Sequence, residues 1–256
     1  MMNLVVLGSG TAVPHPRRSS PGFWLETSSG TVLLDCGPSV VSRIAQENLN
    51  WPDLNAIWIS HFHLDHCGGL ASLLFGTRNA PEMRDRTTPL TIFGPKGMRK
   101  LIEVFDSAYN YKLFQQPFPL EVVEVEPLEE FEILQGVKAA ALSTPHTDES
   151  LAIHIPDATG KTFVYTSDTG FSESVAAFAN RPDLLLIECS FPKQKETHIH
   201  LELAEAMHLV RRAKPRRAML THFYAMWDEV NFDDEVKSFS PGCSVIRAED
   251  GLRIVI

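Results

Sequence analysis

Long apolar runs are missing from this sequence of 256 residues. The longest, such as 184–187, fall far short of the roughly 18 residues that a membrane span requires, and the start has no charged segment, extended apolar stretch and cleavage site of a secretory leader. Cysteine is scarce: Cys36, Cys67, Cys189 and Cys243 are scattered with no CxxC pair, three of them in or beside apolar runs. That pattern suits small buried residues in a reducing compartment and calls for no disulfide framework. Positive charge is also short. Lys plus Arg is 23 against 32 Asp plus Glu, a formal charge of -9, which argues against a protein built to coat nucleic acid or an anionic membrane. No Ser/Gly-rich linker, composition break or repeat of fixed period divides the chain. A content of 44% hydrophobic and 21% charged residues excludes disordered and collagen-like classes. These absences lead to the expectation of a cytoplasmic protein folded as a single domain over 1–256.

Short β-rich runs recur at 3–7, 23–26, 31–35, 56–60, 90–93, 137–142, 151–155, 162–166, 184–187, 217–221, 244–248 and 252–256. Helical patterns with apolar residues three or four apart fall at 39–47, 67–75, 95–108, 172–179, 202–213 and 228–239. The first half reads mostly as β meander, with helices entering later. This predicts an α/β fold of two sheets packed face to face with helices outside. Residues 79–88, polar and Pro-containing, read as a mobile loop. The Gly8-Ser9-Gly10 turn after the first strand imitates a dinucleotide-binding turn, but Pro14 and Pro16 prevent the helix that would hold a pyrophosphate.

The informative segment is Ser60-His61-Phe-His63-Leu-Asp65-His66-Cys-Gly68-Gly69, where an apolar strand delivers three histidines and a carboxylate within six positions. In an extended segment His61 and His63 project to the same face, while Asp65 and His66 lie where the chain turns into a helix. Such a mixed cluster can feed two adjacent ions, and zinc accepts both imidazole nitrogen and carboxylate oxygen. His146, Asp168 and His222 each follow an apolar β run, where loops of a layered domain converge. His15, His154, His198 and His208 lack that context and read as surface or packing residues.

With these motifs in order, the sequence resembles the metallo-β-lactamase superfamily of dinuclear hydrolases across almost its whole length. The resemblance implies a four-layer αββα sandwich of two mostly antiparallel or mixed sheets with outer helices. It also implies two divalent ions, zinc first with manganese or iron as alternatives. His61, His63 and His146 would hold one ion and Asp65, His66 and His222 the other, with Asp168 between them. Asp35, in Leu33-Leu-Asp35-Cys-Gly37, would support the metal loop without binding metal. Relatives in this family form dimers, so the resemblance also implies a homodimer.

Two metals sharing a water supply hydroxide at neutral pH and stabilise charge on attacking and leaving oxygens, which makes the expected reaction a hydrolysis, with Asp65 orienting or deprotonating the water. The stretch from Leu7 through Thr11 and Pro14 to Ser20, together with Leu186-Ile-Glu188-Cys-Ser190-Phe191, is similar to the ribonuclease Z branch. So is His198-Ile-His200-Leu-Glu202, which by that likeness gives His200 the leaving-group proton and Glu188 the task of orienting His200. Glu202 stands where that branch carries Ser or Thr. The branch's long tRNA-gripping arm is missing, since only 21 residues separate His146 from Asp168. Without it, and at -9, nucleic acid is the less favoured partner. Arg211, Arg212, Lys214, Arg216 and Arg217 read as a solvated helix end. The leading expectation is a phosphodiesterase for small or cyclic phosphodiesters. The alternatives are hydrolysis of a lactone, ester or β-lactam, tRNA 3'-end processing, and a binding module without turnover, whose signature would be missing ligands; none is missing. Phe114, Pro117 and Phe118 offer an apolar wall for the site.

Overall fold

Apolar residues fill both phases of the strand alternation, so both faces of the sheets must be covered. In β1 (Asn3–Gly8), Leu4 and Val6 enter one core while Val5 and Leu7 enter another. The split continues through β2 (Gly22–Thr27), with Phe23 and Leu25 against Trp24, and β3 (Gly30–Leu34), with Val32 and Leu34 against Leu33. It reaches β4 (Ala56–Trp58), where Ala56 and Trp58 oppose Ile57. The first of these cores lies between two sheets; the second lies under outer helices. The computed structural model, which describes residues 2–256, realises this as two seven-stranded mixed sheets.

In the first sheet β3, β4, β5 (Leu90–Gly94) and β6 (Leu120–Glu124) run parallel, after the antiparallel β1, β2 and β3. Helices α1 (Val40–Gln46), α2 (Leu64–Cys67), α3 (Leu70–Asn79) and α4 (Met98–Ser107) lie along these crossovers, and α1, α3 and α4 bury Ile44, Leu70, Leu74, Met98 and Ile102 on the outer face. The second half repeats the plan. Antiparallel β7 (Glu130–Leu134), β8 (Val137–Ser143), β9 (Leu151–Pro156) and β10 (Thr162–Tyr165) precede parallel β11 (Leu184–Glu188), β12 (Arg217–Thr221) and β13 (Ser244–Arg247). Their crossovers hold α5 (Glu173–Phe178), α6 (Leu203–Ala213) and α7 (Phe232–Ser238), and β14 (Arg253–Val255) returns to pair with β1. The result is the expected αββα sandwich. Strands β3, β4, β8, β10, β11 and β12 all end on one edge, which gathers the loops that carry the chemical motifs. Hydrogen bonds join the sheets there, among them Leu151 N–H to Ser60 O at 3.0 Å and the Tyr165 hydroxyl to Asp35 at 2.8 Å.

Three expectations need correction. Helices already alternate with strands in the first half, because parallel strands require crossovers. Strands β6 and β7, unread in the sequence, are the outer edges of the two sheets, where half-exposed positions and Glu121, Glu124, Glu130 and Glu132 hide the alternation. Residues 79–88 are tied down: Met83 is buried, and the Arg86 guanidinium donates to the carbonyls of Pro52, Leu54, Thr88 and Pro89. Phe118 belongs to the outer core with Phe114 packed against it, so both serve packing. All four cysteines are free thiols. Among the described residues no helix is long and apolar enough to cross a membrane.

Candidate metal centre

Asp35 leaves β3 with φ 58°, Ser167 precedes Asp168 with φ 54°, and His222 leaves β12 with φ 63°. A non-glycine residue in the left-handed region is strained, and here three mark the loops at one edge. Close approach adds to the constraint. A Cβ on Gly69 would sit 2.3 Å from Gly37 O, and one on Gly37 would sit 2.3 Å from Asp65 O, so the Asp35–Gly37 turn and α2 meet backbone to backbone. Hydrogen bonds from Cys36 N–H to His66 O (2.7 Å) and from Gly69 N–H to Cys36 O (2.8 Å) lock the two together.

The structure brings the seven sequence-derived residues into one place. Donor atoms of His61, His63, His146 and Asp168 lie within 4.8 Å of one another, as do those of Asp65, His66 and His222. Asp168 Oδ2 stands between the groups, 3.3 Å from both His66 Nε2 and His222 Nε2, 3.6 Å from His146 Nε2 and 3.9 Å from His61 Nε2. His200 joins from the side, its Nδ1 4.0 Å from the same oxygen.

Two buried carboxylates fix the imidazole tautomers. Asp35 accepts from Ser60 N–H (2.8 Å) and the Ser60 hydroxyl (2.9 Å), and its Oδ2 meets His66 Nδ1 at 2.7 Å. A hydroxyl has one proton, so with that proton on Asp35, His61 Nδ1–H donates to Ser60 Oγ across 3.0 Å. Glu188 repeats the device. It accepts from the Ser190 hydroxyl (2.8 Å), Thr169 N–H (2.8 Å) and Leu201 N–H (3.1 Å), meets His200 Nδ1 directly at 2.8 Å, and leaves His222 Nδ1–H to donate to Ser190 Oγ at 3.0 Å. His146 Nδ1–H donates to Ile199 O at 2.9 Å. His61, His66 and His222 therefore turn Nε2 inward, and His146 Nε2 meets His63 Nδ1 at 3.0 Å beside them.

The Nε2 atoms of His61, His66 and His222 are buried and make no hydrogen bond. Orphaned buried ring nitrogens are costly, and three beside two carboxylates form an N/O donor set suited to divalent cations such as zinc; burial lowers His66, but Asp168 and Asp35 outweigh it and hold that ring well above its ordinary value. Burial holds His61 and His146 below the ordinary imidazole value, in the neutral form a metal needs. Burial also pushes Asp168 and Asp65 up, but the surrounding imidazoles outweigh it and keep both carboxyls below their ordinary value. At His200 the balance reverses: burial lowers it, while Glu188 raises it to about 9.

Sequence reasoning did not single out Ser60, Ser190 or Tyr165, whose roles arise from tertiary contact; the one signal was Ser60's place beside His61. It also missed Lys195. Its ammonium donates to His200 O (3.0 Å) and Glu205 (2.6 Å), clamping the segment that delivers His200. Glu202, the departure from the ribonuclease Z pattern, is the N-cap of α6 in a reciprocal capping box with Glu205. The arginines of the basic cluster at 211–217 are spent locally, Lys214 apart: Arg212 pairs with Glu173, Arg216 with Asp183, and Arg211 and Arg217 reach the carbonyls of Phe239 and Val255.

Comparison with known proteins agrees with this geometry. The chain matches the beta-lactamase superfamily domain over residues 30–223, about three quarters of its length. It is 26% identical to a ribonuclease Z of Ignicoccus hospitalis over 303 aligned residues, covering 98% of this chain and 97% of that protein. Because 303 exceeds 256 by 47, at least 47 of those positions are filled in the relative alone. The metallo-beta-lactamase fold protein YhfI from Bacillus subtilis superposes with a TM-score of 0.81 at 22% identity, over 99% of this chain and 98% of that one. A diphosphatase from the PhnP family superposes with a TM-score of 0.76 at 18% identity, over 100% and 98%.

Proposed function

The chain belongs to the beta-lactamase superfamily and is a metal-dependent hydrolase, and we propose that it acts as one domain to hydrolyse small or cyclic phosphodiesters. In this reading His61, His63 and His146 hold one zinc ion, Asp65, His66 and His222 the other, and Asp168 lies between them. The ions, when bound, supply Lewis acidity and a nucleophile at neutral pH. Asp65 orients the attacking water and receives its proton. The observation that carries the choice of a phosphodiester is the Glu188–His200 pair: a carboxylate at 2.8 Å favours the protonated ring, and that ring faces the shared Asp168 oxygen at 4.0 Å. An imidazolium beside the cations favours an anionic substrate and places a proton where a poor alkoxide leaving group must depart. The diphosphatase likeness supports the same chemistry.

A second reading, cleavage at tRNA 3' ends, is favoured by the ribonuclease Z relative, which matches along nearly its full length. Nucleic acid is therefore less disfavoured than charge alone suggests. What supports the smaller substrate is the short β9–β10 turn between His146 and Asp168, with no room for a gripping arm. The test is parallel turnover of bis(p-nitrophenyl) phosphate, 2',3'-cyclic nucleotides, an acyl lactone, nitrocefin and a precursor tRNA by one zinc-loaded preparation. Diester turnover abolished by Asp65→Ala is expected. Lactone turnover without diester turnover would overturn the reading, and cleavage of the precursor alone would establish the second one.

A further inference from the structure

Beyond the reacting centre, one side chain near it is left without an assignment. Tyr224 lies two residues past His222, held by its own N–H to Ser190 O at 3.2 Å. Its ring is half-buried and lies against Phe191, with centroids 4.9 Å apart and planes within 11°. Phe191 is itself 7% exposed and braced by hydrogen bonds to Leu201 and Leu203, so the backing is rigid. Tyr224 also meets His200 and His222 edge-on, each at 6.3 Å with planes at 69° and 73°. Its hydroxyl makes no hydrogen bond to any described residue. A polar-tipped ring beside the centre, carried on a second ring, is better suited to holding a ligand than to filling a core.

The charges around it narrow the ligand. Segments 189–202 and 222–231 contain only Lys193 and Lys195 as cations, and Lys195 is committed to Glu205 and His200 O. Arg17, Arg18 and Arg247 converge instead on Asp228 behind Phe223. Lys193, exposed two residues past Phe191, is the one cation of these segments with no side-chain or carbonyl partner among the described residues. The Tyr224 ring, backed by Phe191, offers a flat apolar face to a planar group.

We propose that Tyr224, backed by Phe191, forms a leaving-group subsite that stacks a flat ring, an aryl group or a nucleobase, attached to the phosphorus being attacked. This rests on the phosphodiester reading, since His200 gives the leaving oxygen its proton and Tyr224 borders His200. The subsite binds by ring contact and takes no part in bond breaking, so it discriminates substrates by shape.

The direct test is calorimetric binding of phenylphosphonate and cyclohexylphosphonate to the zinc-loaded protein. These ligands match in charge and size, but only one is flat. Wild type is expected to bind phenylphosphonate about tenfold more tightly, as base–aromatic stacking energies convert. Tyr224→Ala should erase that ratio and Tyr224→Phe should keep it. Equal binding of the two by wild type overturns the subsite with no variant needed. Failure to bind either one, with lactone turnover intact, overturns the phosphodiester reading and the subsite with it. A nucleoside 5'-phosphonate arm separates the sources: tighter binding than phenylphosphonate identifies a nucleobase, weaker binding an aryl group.

Discussion

At the scale of single residues, the site depends on where each proton sits. Ser60 and Ser190 each pass a carboxylate's orientation to a histidine that would otherwise be free to flip, His61 in one case and His222 in the other. Ser60→Ala and Ser190→Ala should each weaken zinc binding by about 10–100-fold, the usual size for partners behind a ligand, while leaving the fold intact. Competition with a chromophoric chelator measures this, and unchanged affinity would remove the serines from the design. His200 makes a pH-dependent prediction. Its folded value of about 9 lies above the ordinary one of about 6.5, so the protonated ring stabilises the fold fully below the lower value and that contribution is lost as pH rises through the upper. A general acid fails on the same side. The rate for methyl phenyl phosphate should fall on the alkaline limb, and Glu188→Gln, by removing the charge that raises His200, should move that limb to lower pH. A limb that stays in place in a variant retaining its zinc would separate the two residues. The metal-facing histidines and carboxylates were legible because dense polar residues after apolar strands are expensive in any other role. The serines were not legible, since a serine carries no such penalty and acquires its role only from a fold that places it between two other groups.

Elements position these residues by backbone contact as much as by side chains. Gly69 has an ordinary φ of -82°, so alanine there brings no backbone strain, only a clash with Gly37 O at 2.3 Å. Gly69→Ala should therefore push α2 away from the β3 turn, destabilising by about 1–3 kcal/mol. Urea unfolding with and without zinc would show the loss to be larger in the loaded protein, because His66 moves with the helix; an equal loss would mean that the clash is absorbed elsewhere. On the other sheet, Lys195 holds the approach to α6, and Lys195→Met should slow diesters with poor leaving groups about tenfold while sparing activated p-nitrophenyl esters, which need little protonation. Equal slowing of both would mean that the clamp does not act through His200. The helix holding the 202–213 periodicity was legible, down to a start at Glu202. The short α2 was not, because four residues carry no period, and β6 and β7 were hidden by the same charged positions that keep sheet edges from pairing with other chains.

For the molecule as a whole, the division of ligands between the sheets has a mechanical consequence. His61, His63, Asp65 and His66 follow β4 of the first sheet, whereas His146, Asp168 and His222 follow β8, β10 and β12 of the second. The face-to-face arrangement was legible because both strand phases are apolar, but the pairing of the halves across the site was not; it follows from β14 closing the first sheet after the second is complete. If each ion takes ligands from both halves, zinc is a clasp across the sandwich as well as a source of chemistry. Binding to the folded state alone stabilises by about 2.7 kcal/mol per ion at a hundredfold excess over Kd. For a chain of this size each kcal/mol shifts Tm by roughly 2–4 °C, so removing one ion should lower Tm by about 5–11 °C and removing both by about twice that. His146→Ala removes a second-sheet donor whose side chain is fully buried. It should lower the Tm of the chelated protein by about 2–8 °C, since it takes away a buried ring that reaches Ile199 O and His63, and it should also shrink the zinc-dependent rise. Scanning calorimetry of both proteins with and without chelator separates the contributions. A wild-type Tm indifferent to zinc would mean that the two sheets close without the ions, and the clasp would have to be abandoned even if the reaction still required metal.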